Sequence, residues 1–160
     1  MIDSDTTTSR ENKAKLYESV YVQMNALLSA EDNKISNMAN FVAVLKTSFD
    51  FFWVGFYLVE SNELLLGPFQ GPVACTRITK DKGVCGTSWS SNRSIVVGDV
   101  HSYPGHIACN AASKSEIVIP LVYDDQVIGV LDIDSDEFDF FDEVDKEWLE
   151  KLCTCLLSVI

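Results

Sequence analysis

Long apolar runs are missing from this 160-residue chain. None approaches the ~20 consecutive apolar residues of a membrane-spanning helix, so no membrane association is expected. Basic residues are scarce as well: 12 Lys and Arg stand against 24 Asp and Glu, giving a net charge of −12. A surface this acidic lacks the cationic patch that nucleic acid or an anionic bilayer requires, and neither partner is expected. The N-terminus, MIDSDTTTSRENKAK, has no apolar signal-peptide core, which predicts a cytoplasmic protein. There is no C-x-x-C pair. The spacing of Cys75, Cys85 and Cys109 therefore argues against structural zinc, although His101 and His106 lie close to Cys109. GVCG lacks the Lys-Ser/Thr ending of a phosphate loop. No segment repeats, and at 47% hydrophobic residues the chain can bury a core without disulfides or metal.

What the chain does have is sulfur in unusual places. Cys75, Cys85 and Cys109 sit among glycine and alanine, where a thiol is accessible for chemistry. Cys153 and Cys155 lie in the apolar stretch LCTCLLSVI and read as packing residues. An odd count of five cysteines in a cytoplasmic chain fits free or catalytic sulfur better than a disulfide framework.

The pattern predicts one α+β domain over residues 12 to 160, preceded by an unstructured polar tail at 1 to 11. Leu16, Val20, Met24 and Leu27 recur at helical spacing. A second helix follows a cap at Asp32 or Asn33, with Ile35, Met38, Phe41, Val42 and Leu45 on one stripe. FFWVGFYLVE is rich in aromatic and β-branched residues and reads as a strand. LLLG returns as its partner, and GPFQGP reads as a turn. ACTRI is a third strand, Gly83 to Ser91 a short helix, and SIVVGD a strand. A long loop from Asp99 to Lys114 carries Cys109 and both histidines. A loop of that length in a compact domain is usually functional or disordered, and its small-residue run HIACNAAS reads as ordered. EIVIPLVY and QVIGVLDID form a hairpin about DD. The acidic run from Asp136 to Asp145 suits the N-terminus of a last helix, with Val144, Trp148, Leu152 and Leu156 along one side. Helices flanking an antiparallel meander predict packing on one sheet.

The hairpin's register decides what its acids do. Asp132 and Asp134 share a strand face with Ile128 and Val130, and Leu131 and Ile133 take the other. If Asp124 to Gln126 form a three-residue loop, Glu116 falls opposite Asp134 and Val118 opposite Asp132, and three carboxylates cluster. A two-residue loop shifts the register by one and separates them. Asp132 interrupts an apolar run, which favours a reason for its placement. A partly desolvated carboxyl beside others has a raised pKa and can act as a general acid. Paired with a thiolate it suits redox chemistry at sulfur, in which a second thiol resolves a sulfenic acid as a disulfide.

The strings WVGFYL, LGPFQGPVACTRI, GVCGTSW, DVHSYPGHIACNAASKSEIVIPL and IGVLDIDS, together spanning Trp53 to Ser135, resemble the free methionine-(R)-sulfoxide reductase family, a catalytic branch of the GAF-domain fold. The resemblance implies an antiparallel sheet of about six strands with N- and C-terminal helices packed on one side. It implies Cys109 as nucleophile, and Cys75 and Cys85 as resolving or recycling thiols, with Cys75 to Cys109 favoured as the final bridge. It implies Glu116, Asp132 and Asp134 around the sulfoxide and the substrate's polar groups, and Trp53 and Tyr57 as the aromatic wall. The implied substrate is free L-methionine-(R)-sulfoxide. The implied reductant is thioredoxin or another dithiol, with no bound cofactor and no metal. A homodimer is compatible with it. The competing reading is a non-catalytic GAF sensor of a small molecule or of redox state, which has no need for three thiols beside acids.

Overall fold

The computed structural model describes residues 4 to 160. Among these, four α-helices and six strands run in the order α1 (Ser4–Leu27), α2 (Lys34–Ser48), β1 (Trp53–Glu60), β2 (Glu63–Gln70), β3 (Arg77–Thr79), α3 (Gly83–Ser91), β4 (Ile95–Val97), β5 (Ser115–Tyr123), β6 (Gln126–Ser135) and α4 (Glu143–Leu157). The strands make one antiparallel sheet ordered β3-β2-β1-β6-β5-β4.

Alternation along the strands gives the sheet two buried faces. Val54, Phe56, Ile117, Ile119, Leu131 and Ile133 point to one side, where α1, α2 and α4 cover them with Tyr17, Met24, Phe41, Leu45, Leu149 and Leu152. Trp53, Tyr57, Val118 and Val130 point to the other, where the short α3 supplies Val84, Cys85 and Trp89 and loop residues such as Val100 complete the cover. One face is thus an apolar helical sandwich, and the other is thinly roofed. The thinly roofed face holds the polar groups described below.

Helix ends follow local chemistry. The Asn33 side chain caps α2 by accepting from the Ile35 amide at 2.8 Å. Asp142 caps α4 in a reciprocal box with Asp145, so the acidic run serves the helix start as expected. Helix α1 begins at Ser4, so positions 4 to 11 are helical and not an unstructured tail; positions 1 to 3 lie outside the described residues. No glycine or proline interrupts residues 4 to 27, and a helix anchored further along propagates through such a polar stretch. Its buried stripe is also rotated: Tyr17, Val20, Met24 and Leu28 face the core, while Leu16 and Leu27 are about 40% exposed. The Tyr17 hydroxyl donates to Asp145, which fixes that rotation.

Two strand readings change. GPFQ belongs to β2 and is not a turn. Gly55 faces Phe69 and Tyr57 faces Leu66, so Gly67 and Pro68 together oppose Phe56 in a bulge, a place where a sheet tolerates proline. The third strand covers only Arg77–Thr79. The hairpin turn has two residues, Asp124 and Asp125, with φ of 50° and 59°, a left-handed pair that matches strand twist. That turn pairs Tyr123 with Gln126, and a register shift between Leu121 and Val122 then sets Leu121 opposite Gly129. Ile128 is the extra residue, and it packs on the helical face instead of beside Asp132. Beyond the bulge Glu116 faces Asp134 and Val118 faces Asp132. The expected cluster forms, by a shorter turn plus a bulge.

Candidate active site

Strand β6 lies between β1 and β5, which aligns two rows across the sheet. Glu116, Asp134 and Trp53 form one row, and Val118, Asp132 and Gly55 the next. The small residue at position 55 is needed there. A Cβ would come within 2.4 Å of the Trp53 ring, which lies across the strand. Trp53 stacks on Phe69 and Tyr57 at centroid distances of 5.4 and 6.0 Å.

These aromatics also fasten the loop that carries Cys75. The Trp53 indole donates to the Pro72 carbonyl at 3.0 Å, and the Tyr57 hydroxyl to the Cys75 carbonyl at 2.8 Å. Across the cavity, the loop from Val100 to Lys114 is pinched at its neck. The Val100 amide donates to the Lys114 carbonyl at 2.9 Å, and the Lys114 amide to the Ser135 carbonyl at 2.7 Å. At its tip, Cys109 is joined to Cys75 by a disulfide, with Cα atoms 5.3 Å apart. The two sulfur-bearing loops are therefore bridged over the carboxylates. The cavity beneath is about 40 Å³ and is lined by Trp53, Tyr57, Cys85, Cys109, Glu116, Asp132 and Asp134, among others.

Of the site residues named from sequence, all but Cys75 line this cavity, and Cys75 is tied to its mouth by the disulfide to Cys109. The structure separates the two histidines. His106 lines the cavity, with Nδ1 4.0 Å from Glu116 Oε2, while His101 is exposed and bonded to Asp99. Ile78, Lys82, Asn110 and Ser113 also line the cavity, and sequence reasoning did not select them. Asn110 and Ser113 follow Cys109 in the small-residue run, a signal that could have found them. Cys153 is buried and Cys155 half-buried on the helical side, as packing residues.

The electrostatics are one-sided. Burial pushes the Glu116 carboxyl well above the usual carboxylate range, and the charges of Asp132 and Asp134 push it further. Burial raises Asp132 to about 6, restrained by hydrogen bonds from Glu116 and Cys85. Asp134 is raised by burial and by Asp132, and a hydrogen bond from Ser113 opposes this. The Cys85 thiol is raised by burial and by the same three acids, so it stays protonated at neutral pH. It donates to Glu116 Oε1 at 3.9 Å. Burial lowers His106, leaving a neutral imidazole. Asp132 Oδ1 is buried with no hydrogen-bond partner among the described residues. The arrangement can hold protons near neutral pH, accept a cation, and exchange a disulfide at its mouth.

Comparison with known proteins agrees with this geometry. Residues 37–157 match the GAF domain model. GAF domain-containing protein A of Dictyostelium discoideum is 52% identical over 95% of this chain and 97% of its own. The free methionine-R-sulfoxide reductase of Escherichia coli is 46% identical over 93% of this chain and 91% of its own. The X-ray structure of free methionine-R-sulfoxide reductase from Neisseria meningitidis, in complex with its substrate, superposes with a TM-score of 0.89. It is 49% identical and covers 92% of this chain and 89% of that one. The fold, the bridged loops and these relatives agree that the chain belongs to the GAF-domain family and, within it, to the free methionine-R-sulfoxide reductases.

Proposed function

We propose that this protein reduces free L-methionine-(R)-sulfoxide to L-methionine, with residues 12 to 160 acting as one catalytic domain. The observation that carries the reading is the Cys75–Cys109 disulfide set over a floor of buried carboxyls. Thiols alone suit many redox proteins. A thiol pair facing proton-holding acids suits the removal of oxygen from sulfur.

In the proposed cycle the reduced Cys109 thiolate attacks the sulfoxide sulfur. A carboxyl of the Glu116, Asp132 and Asp134 group delivers a proton to the sulfoxide oxygen. The oxygen passes to Cys109 as a sulfenic acid, and methionine leaves with its sulfur reduced by two electrons. Cys75 then displaces water from the sulfenic acid and forms the disulfide. Thioredoxin or another dithiol restores both thiols. Cys85 was the other candidate resolver. Its burial and its bond to Glu116 favour a hydrogen-bond donor to the acid pair over an attacking thiol.

The same carboxylates suit a free amino acid, because one of them can face the substrate's α-ammonium group. Trp53 and Tyr57 wall the methyl and methylene groups. In the disulfide form the cavity of about 40 Å³ has room for two or three waters, so substrate enters after reduction frees the Cys109 loop. The test is a direct assay of methionine formed from the R and S epimers with dithiothreitol or thioredoxin as reductant. Turnover of the R epimer alone is expected, and absence of R turnover would sink the proposal.

A further inference from the structure

Cys85 on α3, Glu116 on β5 and Asp132 on β6 come from three elements, yet one donor atom of each lies within 4.8 Å of the other two. All three are buried. A cluster of acids alone would mean little, but here one buried oxygen of one member has no partner among the described residues. Asp132 is 6% exposed and lines the cavity, and its Oδ1 accepts from no group among the described residues. A buried acceptor left without a donor is costly and invites a cation. Lys82 lines the cavity, but among the described ion pairs it joins none of the acids there. The neutral His106 places its Nδ1 4.0 Å from Glu116 Oε2.

We propose that this floor is a binding site for a divalent transition-metal ion of the zinc class, held by Cys85 Sγ, one oxygen each of Glu116 and Asp132, and His106 or a water. The donor set selects the metal. A thiolate among carboxylates and imidazole suits four-coordinate Zn²⁺, with Co²⁺ and Cd²⁺ as spectroscopic substitutes. Mg²⁺ and Ca²⁺ take oxygen ligands and are disfavoured. On binding, the Cys85 S–H bond breaks, its proton goes to solvent and an S–metal bond forms, with no change of oxidation state. The sequence spacing argued only against zinc on the three loop cysteines; this site uses one of them and two strand carboxylates. The site does not depend on the proposed reductase function. Its consequence does: a metal held by Glu116 and Asp132 occupies the groups assigned to the substrate, so zinc inhibits turnover.

The test uses the full chain in its disulfide form, in which Cys75 and Cys109 are not free to ligate. Titration with Cd²⁺ should give a thiolate-to-metal charge-transfer band that saturates at one ion per chain. Co²⁺ should give the visible bands of a tetrahedral site. Cys85→Ser should lose the charge-transfer band, Asp132→Asn should weaken binding by about tenfold or more, and Cys155→Ser should change neither. X-ray absorption of the zinc-loaded wild type, which needs no variant to fold, should show one sulfur among oxygen and nitrogen ligands. No band in the wild type, a band that survives Cys85→Ser, or zinc with no sulfur ligand would overturn the site. Methionine formation without any band overturns the metal site alone. A saturating band in a protein that does not reduce the R epimer supports the metal site and overturns the reductase reading.

Discussion

Asp145 and Asp132 are both buried aspartates, at 1% and 6% exposure, and they are held in opposite ways. Asp145 lies in the first turn of α4 on the helical side of the sheet. Lys13 donates to it at 2.7 Å, the Tyr17 hydroxyl at 2.8 Å and the Asp142 amide at 2.8 Å. Lys13 also reaches Asp142 at 3.0 Å. Asp132 lies on the other face with Glu116 and Cys85, both acids, and keeps one oxygen without a donor. The first cluster is closed by hydrogen bonds and countered by a cation from a distant helix, so it ties α1 to α4. Among the described residues no Lys or Arg pairs with the second, which is open to a ligand. Burial of a carboxyl therefore does not mark a functional site; burial without compensation does.

The largest expected difference is in turnover. Asp132→Asn keeps shape and volume but removes a proton carrier, and kcat should fall on the order of 10²–10⁴-fold. Lys13→Met removes the cation of the other cluster and should leave kcat unchanged. Steady-state assays of both variants check this, and equal losses would erase the distinction. The order reverses for stability. Lys13→Met leaves Asp145 buried beside Asp142 without its cation and should cost about 3 kcal/mol in denaturant unfolding, the low end for a broken buried pair because Lys13 is 26% exposed.

Much of this contrast was readable from residue order. Asp132 stands out because a carboxylate interrupts VIGVLDI, and Glu116 follows from antiparallel pairing. The turn was misread because three-residue and two-residue loops differ by one register step. A bulge at Ile128 silently restored that step, and bulges leave little trace in an apolar strand. The Lys13 cluster was invisible. Its partners are 129 and 132 positions apart, and only the rotation of α1 brings them together. The choice between Cys75 and Cys85 as partner of Cys109 was also beyond spacing. It depends on which loop the Trp53 and Tyr57 hydrogen bonds hold near the tip of the Cys109 loop.

The same Asp132→Asn change should raise stability at pH 7 while it removes activity. The folded protein holds Asp132 at about 6, above its ordinary 3.8, so it prefers the neutral carboxyl. Stability from this group is complete below about pH 4 and is lost as pH rises through about 6. An uncharged amide avoids that loss, for a gain of about 1–3 kcal/mol at pH 7 that vanishes below pH 4. Asp142 in the other cluster runs the opposite way. Hydrogen bonds and charge from Lys13, aided by backbone amides, hold it below its ordinary 3.8 despite burial. Its stabilisation is present above that range and lost as pH falls. Denaturant melts of wild type and Asp132→Asn from pH 4 to pH 8 measure the first slope. A variant that is less stable at pH 7 would show that Asp132 is compensated after all.

The smallest expected difference separates two tyrosines. Tyr17 donates to the Asp145 carboxylate and Tyr57 to the neutral Cys75 carbonyl, both at 2.8 Å. A hydrogen bond to a charged acceptor contributes about 1.5–3 kcal/mol, and one to a neutral acceptor about 0.5–1.5. Tyr17→Phe should thus cost roughly 2 kcal/mol of stability and Tyr57→Phe roughly 1, a gap that paired denaturant curves can resolve. Function should divide them the other way. Tyr17 is remote from the cavity, so its loss leaves the rate of disulfide formation unchanged. Tyr57 holds the carbonyl of Cys75 itself, and freeing that loop widens the range of positions from which Cys75 must reach Cys109. Rapid-quench measurement of Cys75–Cys109 formation after one equivalent of substrate should show slower closure in Tyr57→Phe only. Equal closure rates would mean that the backbone of residues 71 to 76 positions Cys75 without help from the aromatic wall.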